Sequence, residues 1–391
     1  MPETSATFPN RRQGAAIHGA EVTAREIARQ PEVWRELAGL LEQRRGELDA
    51  FLAPLTGRDD RRVVFTGAGT SAFAGAVAAA ALARRTGRRF DAVATTDIVA
   101  SPLSAFNEDV PTLLVSFARS GNSPESTAAT RLADELLTEV HHLVITCARD
   151  GALYRAHDGA DRSAVVLMPE RSNDSGFAMT SSFTSMLLTA LALLAGSGRP
   201  AIEAVAHAAG QVIGPQWEHL EAVAARPYRR VVYLGSGVFT PLAQEAALKL
   251  LELTAGQVVS FHDSPLGFRH GPKAVLNDET LAVVFASADP YTRRYDLDIV
   301  AELKRALGDE HVLVVTAGSG PGFPDRAGHG VVRLDGLEQL DDGFAAAAAI
   351  VPAQILALSF GLAVGTTPDN PFPNGDVNRV VKGVRIYEFG Q

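Results

Sequence analysis

Glu245, Lys249 and Glu252 recur at i, i+4 and i+7 within EAALKLLEL (245–253), so a helix there carries all three on one face. A solvated ion-pair stripe is the ordinary source of such spacing. Here the surrounding leucines and alanines make the helix apolar, and charge placed on a buried type of helix suggests a job in a site. FRHGPKAVL (268–276) holds His270 in a turn punctuated by Gly271 and Pro272, near Asp263, which could tune it. An isolated histidine is ordinarily structural, but this stretch shows no packing pattern. Lys382, in VNRVVKGV, is ordinarily a surface lysine.

Two further motifs have the chemistry of an anion cradle. GAGTS (67–71) follows an apolar run and precedes an alanine-rich one. Its glycines allow close backbone approach, and Thr70 and Ser71 fall at a helix N-terminus with free N–H groups. A tight strand–helix turn explains this motif equally well, and it lacks the full dinucleotide fingerprint. ARSGNSPEST (118–127) is more specific, because Ser120, Asn122 and Ser123 converge at a second helix start beside Arg119. Such groups suit a phosphate dianion. Plain N-capping by Ser123 ahead of Pro124 uses the same groups, so both readings can hold. In SGFAMTSSFT (175–184), Thr180 and Ser181 are placed either to cap a helix or to bond sugar hydroxyls.

These motifs sit in a chain that repeats itself. VVFTGAGTSAFAGAVAAAALARR (63–85) aligns without gaps on VVYLGSGVFTPLAQEAALKLLEL (231–253), and TLLVSFARSGNSPEST (112–127) on TLAVVFASADPYTRRY (280–295) at the same offset. A third pair, from His142 and from His311, needs one extra residue. This predicts two tandem α/β domains with parallel sheets and helices on both faces, strands alternating with helices. Expected strands are Arg62–Thr66, Thr112–Phe117, Leu143–Cys147 and Ala164–Leu167, then Arg230–Leu234, Thr280–Ala286, Val312–Thr316 and Val331–Leu334. The polar motifs fall at strand carboxyl ends, where such sheets bind ligands. The copies differ there: Ser120, Gly121, Asn122 and Ser123 become Ala288, Asp289, Pro290 and Tyr291, and Glu245 and Lys249 align with Val77 and Ala81. The expected divisions are a helical arm over 1–55, broken at Pro31, domains over 56–210 and 211–370, and a tail with a short helix over 371–391.

Composition narrows the classes. A net charge of −9 without a basic block argues against a nucleic-acid partner. The single cysteine, Cys147, ends an apolar run and excludes a disulfide framework or multi-cysteine metal site. FAAAAAIVPAQILALSFGLAVG (344–365) is long enough to span a membrane, but Pro352, Gln354 and Ser359 interrupt it and basic flanks are missing. A buried or subunit-interface helix is the expectation. No secretory pattern opens the chain, so a soluble cytoplasmic protein without metal or cofactor is expected.

Together these motifs resemble the sugar isomerase (SIS) family, above all the two-domain isomerase half of glucosamine-6-phosphate synthase and its deaminase relatives. The resemblance spans about residues 60–390. It implies that Ser71, Ser120 and Ser123 hold a sugar phosphate, that Glu252 is the catalytic base with Lys249 beside it, that His270 opens the sugar ring, and that Lys382 contacts the C1–C2 region. Within the family, FARSGNSPES, AMTSSFT and NPFPNGDVNRVVKGV look most like AgaS-type proteins, known as galactosamine-6-phosphate deaminases or tagatose-6-phosphate ketose/aldose isomerases. Two departures from the synthase, Ala118 and Arg119 in place of serine and glutamine, fit that subgroup. Without a glutaminase domain, the deaminating direction is the expected one.

The resemblance implies ring opening and C1–C2 proton transfer on galactosamine 6-phosphate, giving tagatose 6-phosphate and ammonia. Plain aldose–ketose isomerisation and glucosamine-6-phosphate deamination are the neighbouring readings. A sugar-phosphate sensor is the rival of another class; it would need Ser71, Ser120 and Ser123 but not Glu252, His270 and Lys382. A homodimer or larger assembly is also expected. The apolar run exceeds what one sheet face needs for cover, and the related synthase places its histidine in the neighbour's site.

Overall fold

The computed structural model describes residues 19–58, 60–196, 198–317, 330–381 and 383–390. Among these residues, ten strands form two five-stranded parallel sheets. The first holds β1 (Arg62–Thr66), β2 (Asp91–Ala92), β3 (Thr112–Ala118), β4 (Val140–Thr146) and β5 (Ser163–Leu167) in the order β2-β1-β3-β4-β5. The second holds β6 (Arg230–Gly235), β7 (Val259–Asp263), β8 (Thr280–Ala286), β9 (Val312–Thr316) and β10 (Val331–Arg333), running β10-β9-β8-β6-β7. Read from the other edge, the second order repeats the first. The register repeats too: Arg62 lies opposite Thr112, and Arg230 opposite Thr280.

The ladder corrects one alignment. Leu114 pairs with His142, and its counterpart Ala282 pairs with Val312. The third match therefore needs two extra residues, and Val312 takes the place of His142. The sequence reading also omitted β2 and β7. Both are edge strands: β2 is two residues long, and β7 is half-exposed with polar His262 and Asp263.

Side chains alternate between faces with period two. Val63 and Phe65, and likewise Val231 and Tyr233, enter one core shared by both repeats; Val64 enters an outer cluster on the first sheet, and Val232 and Leu234 one on the second. Both faces of each sheet are thus covered, as parallel sheets require.

Among the described residues, the arm ahead of the repeats has three helices, α1 (Glu21–Ala28), α2 (Gln30–Gln43) and α3 (Arg45–Thr56). Pro31 sits in the first turn of α2, where its missing N–H costs nothing. After β1 comes α4 (Thr70–Thr86), and after β3 comes α5 (Pro124–Leu136). Next are α6 (Ser181–Leu194) and α7 (Arg199–Ile213). The second repeat supplies α8 (Phe239–Leu253) after β6 and α9 (Thr292–Leu307) after β8. The first helices of the two repeats, α4 and α8, pack on each other.

α10 (Asp342–Ala363) is the apolar run, with Asp341 capping it by accepting from the N–H groups of Gly343 and Phe344 at 2.9 and 3.2 Å. It packs against α4, α7 and α8, and every residue from Gly343 to Leu358 is buried within this one chain. By length and composition it could cross a membrane, but 89% of its apolar window is buried in the fold. The association expected from this run loses its support, because the fold itself consumes the surface. Beyond α10 the described residues form turns and bends, and the short helix expected in the tail is not among them.

Candidate active site

The crevice lies where the chain changes direction across the first sheet. From β1 the chain runs outward to β2, and from β3 it runs the other way to β4 and β5. Since β1 and β3 are parallel neighbours, the loops after Thr66 and Ala118 rise side by side at this switch point. Those loops are GAGTS and RSGNS.

The first turn needs its glycines. A Cβ on Gly67 would lie 2.7 Å from the Ser71 backbone, so the chain folds tightly into α4 only without a side chain there. Thr70 and Ser71 form the first turn of α4 and are buried. In the second loop Gly121 has φ +62°, and Ser123 caps α5 by accepting from Ser126 N–H at 3.3 Å. The Ser123 and Ser126 hydroxyls lie 2.6 Å apart. Ser120 and Ser123 remain half-buried at the loop surface. Asn122 braces the loop instead of lining it: its side-chain oxygen accepts from Ala152 N–H at 2.9 Å.

Opposite stands α8, with Glu245 and Lys249 fully buried and the Glu252 side chain 23% exposed. Lys249 Nζ donates to Thr70 Oγ1 at 2.9 Å and to Glu252 Oε2 at 2.5 Å, and lies 3.5 Å from Glu245 Oε1. One ammonium thus joins a turn of the first repeat to two carboxyls of the second. Neither Glu245 oxygen has a hydrogen-bond partner. Burial pushes the Glu245 carboxyl up to about 8; Lys249 opposes that shift and Glu252 adds to it. For Lys249, burial acts downward, but the pull of Glu245 and Glu252 prevails and holds its pKa above the ordinary value. The face therefore sets a carboxyl biased towards its neutral form, Glu245, beside a cationic Lys249 and Glu252.

Arg119 is not at the loop surface. It is 6% exposed and donates through Nη2 to the backbone carbonyl of Arg379 at 2.9 Å, while Nη1 is buried without a partner. Burial lowers its pKa and Arg379 lowers it further, against the pull of Asp174, Cys147 and Glu252.

Thr180 and Ser181 have other partners. Thr180 Oγ1 donates to Asp174 Oδ1 at 2.9 Å, and Ser181 Oγ to the Glu26 carbonyl at 2.8 Å. Asp174 also accepts from the N–H groups of Thr180, Ser181 and Ser182, so a carboxylate six residues upstream closes the start of α6. Both hydroxyls are fully buried, and of the two uses foreseen for them the observed bonds belong to the helix start. Asp174 and the neighbouring buried Glu26 were missed from sequence. Burial, then Asp174, raises the Glu26 pKa, and Ser175 and Gly176 hold it through hydrogen bonds.

His270 is exposed, and Lys249 and Glu252 bond to each other and to Thr70, not to it. Its turn is braced on α9: Glu302 pairs with Arg269 at 2.7 Å and with Lys273. Asp263, expected to tune it, accepts from Ser264 N–H at 2.7 Å. Lys382 lies outside the described residues. Cys147 is buried, which pushes its thiol up to about 12.

Fold and site define a duplicated α/β protein with one hydroxyl- and amide-lined crevice at a topological switch point. Residues 58–196 and 226–321 match the SIS domain, and the chain belongs to the SIS domain family. An AgaS protein of Streptomyces coelicolor is 54% identical over 378 residues, covering 96% of each chain. The D-galactosamine-6-phosphate deaminase AgaS of Escherichia coli is 43% identical over 385 residues, 98% of this chain and 100% of that one. The crystal structure of tagatose-6-phosphate ketose/aldose isomerase from Escherichia coli superposes with a TM-score of 0.87 at 40% identity, covering 97% of this chain and all of that one.

Proposed function

We propose that this chain is an amino-sugar-phosphate deaminase/isomerase that converts galactosamine 6-phosphate and water to tagatose 6-phosphate and ammonia. The observation that carries the reading is the pair of hydrogen bonds that Lys249 donates, to Thr70 at the glycine turn and to Glu252. It fixes the base relative to the turn that would hold the phosphate. With the phosphate on Ser71, Ser120 and Ser123, binding energy orients the far end of the open-chain sugar over Glu252.

Glu252 takes the proton from C2 of the open-chain aldehyde and returns it to C1 by way of an enolamine, while O1 gains a proton and the nitrogen gives one up. The product is a 2-ketimine, which water hydrolyses to the ketone and ammonia. Lys249, buried and bonded to Thr70 and Glu252, positions that base, and its charge favours the oxyanion that develops on O1. Lys382 is assigned to the same region by its motif alone. His270 serves ring opening, and because it faces outward in its own chain, we assign it to the site of a second copy. Leu251, Val259 and Leu266, between 46% and 55% exposed, supply apolar surface for that contact. The match to a ketose/aldose isomerase favours one second reading, isomerisation without loss of nitrogen. Ammonia release separates the two.

Glu252→Gln keeps shape and hydrogen bonding, so turnover falls by about 10²–10⁴ while binding survives. In D₂O the wild type places deuterium at C1, and the variant places none. Turnover within about threefold of wild type would move the base elsewhere, with Glu245 the next candidate. Mixing Glu252→Gln chains with His270→Ala chains restores part of the activity if the site is shared; a fully active monomer rules sharing out.

A further inference from the structure

Arg119 stands at the end of β3, immediately before Ser120, yet its guanidinium serves the far end of the chain. Its Nη2 holds the carbonyl of Arg379 at 2.9 Å, 260 residues away. The segment it reaches has little else to hold it. Residues 373–379 are all exposed, and apart from a local turn in which Gly375 N–H donates to the Phe372 carbonyl at 3.0 Å, the Arg119 bond is the one that ties 373–381 to the fold among the described residues. The segment leaves the body at Phe372, whose ring packs on Phe177 at 5.2 Å between centroids. Two points therefore anchor a strap, one an aromatic contact and one a hydrogen bond from a guanidinium to a backbone carbonyl. Burying a guanidinium with Nη1 unpartnered is costly for stability. A cost accepted next to Ser120 and in the field of Glu252 points to a role in the site.

We infer that Arg119 is the latch that seats the C-terminal strap 373–381 on the first-repeat crevice, and so a positioning residue for what that strap brings to the reaction. The latch grips from the residue preceding the RSGNS loop, so a ligand on that loop and the seated strap stabilise each other. The kinetic consequence rests on the proposed deaminase reaction; the latch itself does not.

The Arg379 carbonyl is also the one that trypsin attacks when it cuts Arg379–Val380, so limited digestion reads the latch directly. Release of the 380–391 fragment, followed by mass spectrometry, is expected to be about tenfold or more faster in Arg119→Gln than in wild type at equal melting temperature. Inorganic phosphate or galactosamine 6-phosphate slows the cut in wild type and less so in the variant. Arg119→Gln lowers kcat more than it raises KM, and on a Lys382→Ala background it adds less than about twofold, because both act through one strap. If Arg119→Gln lowers the melting temperature, Arg119→Lys, which keeps the charge, serves in its place and gives intermediate cutting. Equal cutting in variant and wild type overturns the latch. A KM raised at least about tenfold with the cut unchanged makes Arg119 a phosphate ligand instead. A wild type inert towards galactosamine 6-phosphate would sink the proposed reaction, while the cutting ratio would still judge the latch.

Discussion

The two repeats present the same loop at the same switch point, and only one of the two loops is open. In the first, no carboxylate is hydrogen-bonded to Ser120–Ser123 among the described residues. In the second, the protein supplies its own anions. Asp296 accepts from Ser236 Oγ at 2.5 Å and Ser287 N–H at 2.9 Å. Asp342 accepts from Ser287 Oγ at 2.5 Å and Ala288 N–H at 2.9 Å. Asp289, in the place of Gly121, accepts from Thr292 N–H and pairs with Arg84, the counterpart of Glu252. A cavity of about 290 Å³ remains beside it, lined by Arg84, Asp289, Glu338, Asp341 and Asp342. Donors that would meet a phosphate already hold carboxylates, and a dianion entering there meets like charge.

The helices facing the two loops differ in the complementary way. The buried Glu245 and Lys249 of α8 correspond to Val77 and Ala81 of α4, and Thr70 corresponds to Val238. One crevice gained a buried charge cluster, and its twin kept an apolar contact. Duplication let the fold carry the charged arrangement once, where the open loop is.

Making α8 resemble α4 tests that contrast most severely. Lys249→Ala leaves the buried Glu245 carboxyl without its polar neighbour and should cost about 1–3 kcal/mol in a denaturant titration, with turnover lost. Adding Glu245→Val, which copies the first repeat, should recover part of the stability and none of the activity. Recovery of activity would show that the cluster is only structural.

The second loop predicts a pH signature. Burial, with Asp342 adding, pushes the Asp296 carboxyl up to about 6, against hydrogen bonds from Ser236 and Ser287. A raised folded-state pKa favours the protonated form, so this contribution to stability is full below pH 3.8 and is lost as pH rises through about 6. The expected loss is about 3 kcal/mol across that window, and Asp296→Asn should remove it. Identical pH profiles would place the ionisation elsewhere. Asp289→Asn is the mildest change. Its pair with the half-exposed Arg84 is worth less than about 1 kcal/mol, and kinetics should be unaltered. A change in KM would mean that the second loop takes part in binding.

Much of this was legible in the sequence because duplicated strands carry alternating apolar residues that two covered sheet faces demand. What escaped was set by distance or by edges. β2 and β7 lie at sheet edges, where only one neighbour constrains the pattern. The apolar run of α10 announced a buried surface without saying whether its own chain or another would cover it. Thr180 and Ser181 carry the hydroxyls of a sugar site or a helix start, and Asp174 and Glu26 decide which. Arg119 looked like a phosphate ligand from its neighbours in sequence, until Arg379 came to lie beside it. His270 has its motif in this chain and, among the described residues, no side-chain partner, which a single sequence cannot resolve.

The central claim is that each chain holds one sugar phosphate, on the first repeat, facing Glu252 of the second. Calorimetric titration of Glu252→Gln with galactosamine 6-phosphate tests it without turnover. The account predicts one site per chain, weakened at least about tenfold by Ser120→Ala with Ser123→Ala and unchanged by Ser287→Ala. Two sites per chain, or affinity that survives loss of both first-repeat serines, would contradict it.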